Sequence, residues 1–280
     1  MTLEDFIKNA LSEDIGDGDH TSLACVPANA VSSAQLLIKE DGILAGMDVA
    51  KVIFSMVNPQ LTLKINKSDG EPISKGDIAF TVNGKAQSIL AAERLVLNCM
   101  QRMSGIATAT NRLNLELSGL KTKVLDTRKT TPGMRLLEKM AVKIGGGSNH
   151  RMGLYDMIMI KDNHVDYAGG IEKAIETTHT YLQENNLSLP IEIEARNLEE
   201  VKKILAIGHV NRIMLDNFSV ADTKIALELI DGKYETEASG GINLNTIRSY
   251  AECGVDYVSV GAITHSVKSL DMSLKALAPL

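Results

Sequence analysis

The sequence is short of several things, and each shortage removes a class of function. Only three of its 280 residues are cysteine, and Cys25, Cys99 and Cys253 stand far apart, in neither a metal-binding nor a redox spacing. An odd number of scattered thiols suits a reducing compartment better than a disulfide-stapled secreted fold. No apolar run approaches the ~20 residues that a membrane-spanning helix needs. Positive charge is scarce overall. The 29 Lys and Arg face 35 Asp and Glu, a net charge of −6, and this balance argues against a general nucleic-acid or membrane-surface binder. GxGxxG at a strand–helix turn and the Walker A lysine motif are both missing, so the common nucleotide-binding loops are excluded. The opening residues MTLEDF hold two acids and no basic-then-apolar segment, and a cytoplasmic protein is the expectation. The remaining composition, 44% hydrophobic and 23% charged, is that of a soluble globular chain with room for one large domain or a large and a small one.

What the chain does have is a concentration of the scarce cations. From Lys121 to His164 there are nine Lys and Arg against four Asp and Glu, a local balance of +5 that leaves −11 for everything else. These cations follow apolar runs. Val124-Leu125 leads into Asp126-Thr127-Arg128-Lys129, and Met157 to Ile160 leads into Lys161-Asp162-Asn163-His164. A buried strand ending in charged and hydrogen-bonding groups is how a parallel α/β fold presents a site at its carboxyl edge. The implied ligand carries several negative charges.

Taken in order, Thr2 to Glu13 reads as an amphipathic helix opened by a capping box of Thr2 and Asp5. The acid- and glycine-rich Asp14 to Ser22 reads as a turn with capping side chains, since it lacks the closing Glu of a Ca²⁺ loop. Residues 31–85 read as short strands (Ala34–Lys39, Leu61–Ile65, Ile78–Val82) with a helix over Asp48–Val57. Ser88 to Met103 is a long helix whose apolar face is Ile89, Ala92, Val96, Cys99, Met100 and Met103. Arg94, Asn98, Gln101 and Arg102 lie opposite, where periodicity alone makes Arg94 a surface charge. Ser104-Gly105 breaks the pattern, and a second helix runs through Leu117. From Val124 onward strands alternate with helices. The strands are Val124–Leu125, Ala141–Ile144, Ile158–Ile160, Ile191–Ala195, Arg212–Leu215, Tyr234–Ala238 and Tyr257–Val260. The helices include Gly170–Glu184, Leu198–Ile207, Val220–Ile230 and Leu244–Cys253. Seven such units point to an α/β barrel, complete or one unit short. The expected division is an N-terminal α/β domain over 1–110 and a barrel domain over 111–266, with the tail 267–280 returning to the first.

Every one of those strands ends in polar or glycine residues on one side of the barrel. The ends are Thr127-Arg128-Lys129, Asn149-His150-Arg151, Lys161, the pair Glu192 and Glu194, Asp216, Ser239-Gly240-Gly241, and Gly261-Ala262. Any single strand-end Lys or Arg is ordinarily a solvated charge, but the coincidence of all of them resists that explanation. Glu192 and Glu194 share a strand face, and inside a barrel a carboxylate is costly unless paired. The glycine turns after the last two strands let backbone N–H groups approach a phosphate, with Asn243 starting a helix after the first of them. Gly145-Gly146-Gly147 reads equally as a close backbone approach to a ligand or as a flexible turn. Carboxylates beside a phosphorylated ligand suggest Mg²⁺ or ribose hydroxyls. The inventory is that of a sugar-phosphate enzyme with a polyanionic second substrate.

Three segments, Asp126-Thr-Arg-Lys-Thr-Thr-Pro-Gly133, Gly145-Gly-Gly-Ser-Asn-His-Arg-Met-Gly-Leu154 and Ile160-Lys-Asp-Asn-His164, resemble the signatures of the quinolinate phosphoribosyltransferase family, also called nicotinate-nucleotide pyrophosphorylases (carboxylating). Further matches run the length of the chain in the family's order: Glu13-Asp-Ile-Gly16 with Gly18-Asp19, Ala92-Glu-Arg94, Ser104-Gly-Ile-Ala-Thr108, Leu215-Asp-Asn-Phe218, Ala238-Ser-Gly-Gly-Ile242 and Gly261-Ala-Ile-Thr-His-Ser266. The resemblance implies a type II phosphoribosyltransferase with an N-terminal α/β sandwich and an incomplete, seven-stranded α/β barrel. Two acids after a hydrophobic strand, the phosphoribosyl pyrophosphate (PRPP) motif of type I enzymes, are absent, as that class requires.

The same resemblance implies PRPP and quinolinate as substrates, decarboxylation to nicotinate mononucleotide as in de novo NAD biosynthesis, Mg²⁺ as cofactor, and a homodimer whose neighbouring subunit completes each site. It places Arg94 across the interface on a substrate carboxylate. Arg128, His150 and Arg151 go to the two carboxylates of quinolinate, with Thr127 beside them. Lys129 and Lys161 go between quinolinate and the pyrophosphate, and Glu194 and Asp216 to the ribose hydroxyls and Mg²⁺. Ser239, Gly240, Gly241, Gly261 and Ala262 go to the 5′-phosphate. Lys129, Lys161, Glu194 and Asp216 are the expected catalytic set. Spacing does not separate Glu192 from Glu194, though Glu194 is favoured, and Arg196 has no assigned role. Nucleic acid and membranes are not expected partners. The rival readings are a relative of the same fold associated with molybdenum uptake, a Schiff-base aldolase using Lys129 or Lys161, and a non-catalytic sugar-phosphate binder.

Overall fold

The computed structural model describes residues 2–277. In chain order the first elements are α1 (Leu3–Ile15), α2 (His20–Cys25), β1 (Val31–Ile38), β2 (Gly42–Ile43), α3 (Met47–Val57), β3 (Thr62–Ile65), β4 (Pro72–Ile73), β5 (Ile78–Lys85) and α4 (Ala86–Glu116). They continue with β6 (Lys123–Leu125), α5 (Arg135–Ile144), β7 (Ile158–Ile160), α6 (Asp162–Ala168), α7 (Ile171–Glu184), β8 (Ile191–Ala195), α8 (Leu198–Ile207), β9 (Arg212–Asp216) and α9 (Val220–Ile230). The last are β10 (Glu235–Ser239), α10 (Ile247–Ala251), β11 (Tyr257–Ser259), α11 (Ala262–His265) and β12 (Met272–Ala276). The class is the expected one, α/β with an N-terminal sheet domain followed by a parallel sheet.

The chain forms two compact units. The first takes residues up to 111, 130–146 and those from 266 on, and the second takes 112–129 and 147–265. Residues 130–146, grouped with the barrel on sequence grounds, therefore go with the first unit. Ala141–Ile144, expected as a strand, is the last turn of α5. Its Leu137, Ala141 and Val142 are buried at helical spacing, and Gly145 caps it. α5 is tied down by Glu138, fully buried, which accepts from Arg102 Nε at 3.0 Å and Nη2 at 2.8 Å and from the Thr131 amide at 3.1 Å.

The first unit is built on an antiparallel sheet in the order β12-β1-β5-β3. β1 buries Ala34, Leu36 and Ile38 on alternate positions, the period of a half-buried strand. Phe54 of α3 meets Phe80 of β5 edge-on, ring centroids 5.8 Å apart. The expected apolar face of α4 is buried throughout. Ser104-Gly105, however, does not interrupt this helix. The Ser104 hydroxyl accepts from the Ala45 amide at 2.9 Å and donates to the Ala45 carbonyl at 3.1 Å. A Cβ on Gly105 would lie 2.3 Å from the Lys268 carbonyl oxygen. Both residues serve close packing of neighbouring backbone, which overrides their poor helix propensity. At the amino terminus the Thr2–Asp5 capping box forms, and Asp19 caps α2.

The second unit is a six-stranded parallel sheet, β6-β11-β10-β9-β8-β7. The sequence suggested seven strands. The position of the missing one is marked by a single parallel bridge between Leu125 and Ser148. Alternation along the strands divides the sheet's two faces. Ile191, Ile193 and Ala195 of β8 and Ile213 and Leu215 of β9 join helix residues such as Ile175, Val201, Ile204 and Ala226 in one apolar cluster. The intervening positions, Glu192, Glu194, Arg212, Met214, Asp216, Glu237 and Ser239, therefore point away from the helices, into the barrel interior. Most of that inner face is polar, and it carries the site.

Candidate active site

The carboxyl end of the parallel sheet opens into a cavity of about 910 Å³. It is lined by Thr127, Arg128, Lys129, His150, Arg151, Lys161, Glu194, Asp216, Ser239, Gly240, Gly241, Gly261 and Ala262. These are all of the residues expected on sequence grounds except Arg94, which is exposed on α4 in the first unit. Asp162, Asn217, Glu237, Ser259 and His265 also line it. Glu237 was missed, although its spacing from Glu235 and Ser239 along β10 repeats the Glu192–Glu194 pattern of β8.

Short local contacts hold the cationic side. The Thr127 hydroxyl accepts from the Lys129 amide at 3.0 Å, and the Lys129 carbonyl accepts from the Thr264 hydroxyl at 2.7 Å. Asp126, fully buried, accepts from the His150 amide at 2.8 Å and so seats the following turn beside β6. Arg151 donates through Nη1 to the Met157 carbonyl at 3.1 Å, and Asp156 closes the loop between them by accepting from the Met152 and Gly153 amides at 2.6 and 2.9 Å. Burial, and then the like charge of Arg128, lower the pKa of Arg151. Two guanidinium groups held in mutual repulsion gain most from a polyanion that neutralises both.

The inner face has two levels. At the rim, Lys161 Nζ lies 2.5 Å from Glu194 Oε1, and the Asp162 amide points at Glu194 Oε2 from 3.4 Å. Asp216 accepts from the Ser239 hydroxyl at 2.7 Å and from the Asn217 side-chain amide at 2.8 Å. Below them, His150 Nε2 lies 2.8 Å from Glu192 and 3.5 Å from Glu237, both fully buried. Arg212 Nη1 stands 3.2 Å from Glu237 and 4.0 Å from Glu192, and its guanidinium covers the Tyr257 ring at 4.0 Å. Burial pulls the His150 pKa down, but its two carboxylate neighbours outweigh that and push it up to about 9. The Arg151 amide, 2.7 Å from Nδ1, works against a second ring proton. Both ring nitrogens of His150 are thus turned to protein groups.

Among the described residues two places offer oxygen or nitrogen donors to a metal. His150, Glu192 and Glu237 bring one ligand atom each within 4.8 Å of one another. The Arg212 guanidinium already supplies a cation to both carboxylates there, so this set reads as an internal ion network. Glu194 and Asp216 are different: they are hard carboxylate donors facing the cavity, chemistry that fits Mg²⁺.

The glycine turns line the same cavity, and Gly261 lies against the Lys129 side chain, a Cβ there being 3.2 Å from Lys129 Cδ. Gly240 has φ +96°, and a Cβ there would sit 2.2 Å from Asn217 Oδ1, so only glycine fits. The helix expected from Asn243 begins later, at Ile247. Asn243 to Thr246 instead form turns in which side chains of Asn243 and Thr246 accept backbone amides at 3.0 and 3.1 Å. The exposed backbone at Gly240 and Gly241 therefore belongs to a tight turn rather than to a helix start. Gly145 and Gly146 end α5 and fall in the first unit.

A parallel α/β sheet whose carboxyl edge gathers four cationic side chains, four carboxylates and glycine turns defines a class of protein that binds phosphorylated, polyanionic ligands. Residues 19–104 match the model of the quinolinate phosphoribosyl transferase N-terminal domain and residues 106–275 that of the C-terminal domain. The chain belongs to the quinolinate phosphoribosyltransferase family. It is 48% identical over 288 residues to quinolinate phosphoribosyltransferase [decarboxylating] 1b of Nicotiana tabacum, covering 98% of this chain and 82% of that one. It is 40% identical over 274 residues to the probable nicotinate-nucleotide pyrophosphorylase [carboxylating] of Bacillus subtilis, covering 98% and 93%. Among solved structures, NadC from Streptococcus pyogenes matches with a TM-score of 0.92 at 38% identity, covering 99% of this chain and 97% of that one.

Proposed function

We propose that the chain transfers the phosphoribosyl group of PRPP to quinolinate and releases pyrophosphate and CO₂, giving nicotinate mononucleotide. The observation that carries this reading is the gathering of Arg128, Lys129, Arg151 and Lys161 around one cavity that the Gly240-Gly241 and Gly261 turns also line. The cations suit a dicarboxylate and a pyrophosphate, and the turn backbone suits a 5′-phosphate.

Arg128 and Arg151 bind the carboxylates of quinolinate. His150 lies behind them, adding positive charge and fixing the Arg151 backbone. Lys129 and Lys161 face the pyrophosphate and stabilise the charge that develops as it leaves C1 of the ribose. Glu194 and Asp216 lie at the ribose, where a carboxylate stabilises the oxocarbenium-like carbon. The pyridine nitrogen bonds to C1 as the C1–oxygen bond breaks. The resulting pyridinium draws electrons from the bond to the adjacent carboxylate, which leaves as CO₂, and the vacated ring carbon takes a proton. Glu194 and Asp216 would hold Mg²⁺, whose chemistry is to neutralise pyrophosphate oxygens. The site must bind the departing carboxylate no more tightly than the state in which it leaves. A Schiff-base aldolase would need a lysine enclosed by apolar side chains, and Lys129 and Lys161 instead line a polar cavity.

In this reading two copies of the chain pair, and Arg94 of one serves the cavity of the other. The three cysteines are free thiols, which supports placing the enzyme in the cytoplasm. No helix among the described residues is long and apolar enough to cross a membrane. The direct test is incubation with PRPP, Mg²⁺ and either quinolinate or nicotinate, following mononucleotide and CO₂. Product and CO₂ from quinolinate alone are expected, and absence of turnover with PRPP still bound would overturn the reading. Mixing Arg94→Ala with Lys129→Ala protein is expected to restore part of the activity through hybrid dimers; no restoration at any ratio removes the shared site.

A further inference from the structure

Arg196 lies two residues beyond Glu194, just past the carboxyl end of β8, and its guanidinium spans two other elements. Nη1 stands 3.1 and 3.2 Å from the two carboxylate oxygens of Asp166 on α6. Nε and Nη2 stand 2.9 and 2.7 Å from Glu200 Oε1 on α8, and the Arg196 amide donates to Glu200 Oε2 at 2.8 Å. One fork, its side chain 41% exposed, thus joins α6 to the β8–α8 turn through Nε and both terminal nitrogens.

α6 needs such a tie. It is seven residues long, buries Val165 and sets a partly buried Ala168 against the same apolar cluster. A helix that short is not stable by itself, and one buried and one partly buried side chain give it little apolar anchorage. Polar contacts at its two ends therefore set its position. At the start, the Lys161 amide donates to His164 Nδ1 at 2.9 Å and Glu194 faces both the Asp162 amide and Lys161 Nζ. Three residues short of the Gly169-Gly170 exit, Asp166 meets Arg196. Lys161 is the residue from which α6 begins, so any shift of α6 moves the Lys161 ammonium against Glu194.

We infer that Arg196 is a positioning residue for Lys161: by holding Asp166 it fixes α6, and with it the Lys161–Glu194 pair at the cavity rim. The inference rests on the reading that Lys161 serves phosphoribosyl transfer. Arg196 itself lines no part of the cavity.

The test uses the full-length protein and its Arg196→Ala, Arg196→Lys, Asp166→Asn and Arg196→Ala/Asp166→Asn variants. Turnover of quinolinate and PRPP, amide hydrogen exchange and thermal midpoints are measured together. Each single loss is expected to lower kcat/KM roughly fivefold, and the double variant no further, since both remove one interaction. Exchange should quicken at residues 162–168 while the thermal midpoint stays put, and Arg196→Lys should recover part of both effects. Unchanged turnover in Arg196→Ala, additive losses in the double variant, or unchanged exchange over 162–168 would each overturn the inference. A wild-type protein that never turns over quinolinate would count against the proposed reaction instead, and the exchange comparison would still report on the tie.

Discussion

Glu192 and Glu194 leave the same strand in the same direction, one position of the pleat apart, and their surroundings have little in common. Glu192 lies where water does not reach, against His150 and Arg212, with Glu237 beside it. Burial, and then the charge of Glu237, raise its pKa despite those cations. Glu194 lies one layer higher, at the cavity, against a Lys161 side chain that is 44% exposed. Met214 of β9 stands in register with Glu194 and with Glu237 and brings an apolar side chain between the charged levels. In the lower level the carboxylates are held by His150 and Arg212; Glu237 borders the cavity as a fully buried group, and Glu192 does not line it. The upper level keeps its groups in contact with the cavity. Depth along one strand face thus separates a structural carboxylate from one that can work on substrate.

The largest expected effect comes from opening the lower level. Glu237→Ala leaves His150 with Glu192 alone and Arg212 with Glu235 and the more distant Glu192, and should cost about 3 kcal/mol of stability, a fall of roughly 6–12 °C in thermal midpoint. A fall below 2 °C would mean that the lower level is not a closed network. The rim should respond the other way. Glu194→Ala is expected to lower kcat/KM about a hundredfold while the midpoint moves by no more than about 2 °C. Stability and activity falling together would erase the distinction between the levels.

Acidity gives a finer probe. The folded-state pKa of His150, about 9, lies above its ordinary 6.5. Its stabilising contribution is therefore complete below pH 6.5 and is lost as pH rises through 9. Glu192, raised from 4.5 to about 7, adds a loss of the same sign at lower pH. Thermal midpoints of the wild type should fall between pH 6.5 and 9, and His150→Gln should flatten that part of the curve; an unchanged slope would assign the pH dependence elsewhere. The smallest effect is expected at Met214→Leu, a volume-conserving change between the two levels. It should cost less than about 1.5 kcal/mol and leave KM for both substrates alone.

Much of this arrangement can be read from the residues. IEIEA, RIMLD and ETEAS state which side chains face inward by simple alternation, and helices α8 and α9 begin and end at the residues their apolar periodicity marks. Thirteen of the fourteen expected site residues line one cavity, because strand ends of a parallel sheet converge there whatever the side chains are. Other features depend on partners distant in sequence. Ala141–Ile144 is a short apolar run, which periodicity cannot assign to strand or helix, and the buried Glu138–Arg102 contact decides for helix. Ser104-Gly105 reads as a break until Ala45 and Lys268 are seen against it. The separation of Glu192 from Glu194 depends on depth, which a two-residue period does not encode. Arg196 has no role that spacing assigns: Glu200, four positions on, is a local partner, but Asp166, thirty positions earlier, is what makes it a tie between elements.

The outer strand of the first unit has a consequence for synthesis. β1 is flanked by β5 on one side and on the other by β12, where Leu36 pairs with Leu274 and Ile38 with Met272. A ribosome delivers β1 early and β12 only after all the strands of the second unit. The three strands β1, β5 and β3 must therefore wait, with one row of backbone donors and acceptors open on β1, while the whole second unit emerges between Lys85 and Met272. The second unit can assemble its parallel sheet during that interval. The part of the protein made first is thus the part finished last, and its open strand edge is where a chaperone would have most to protect.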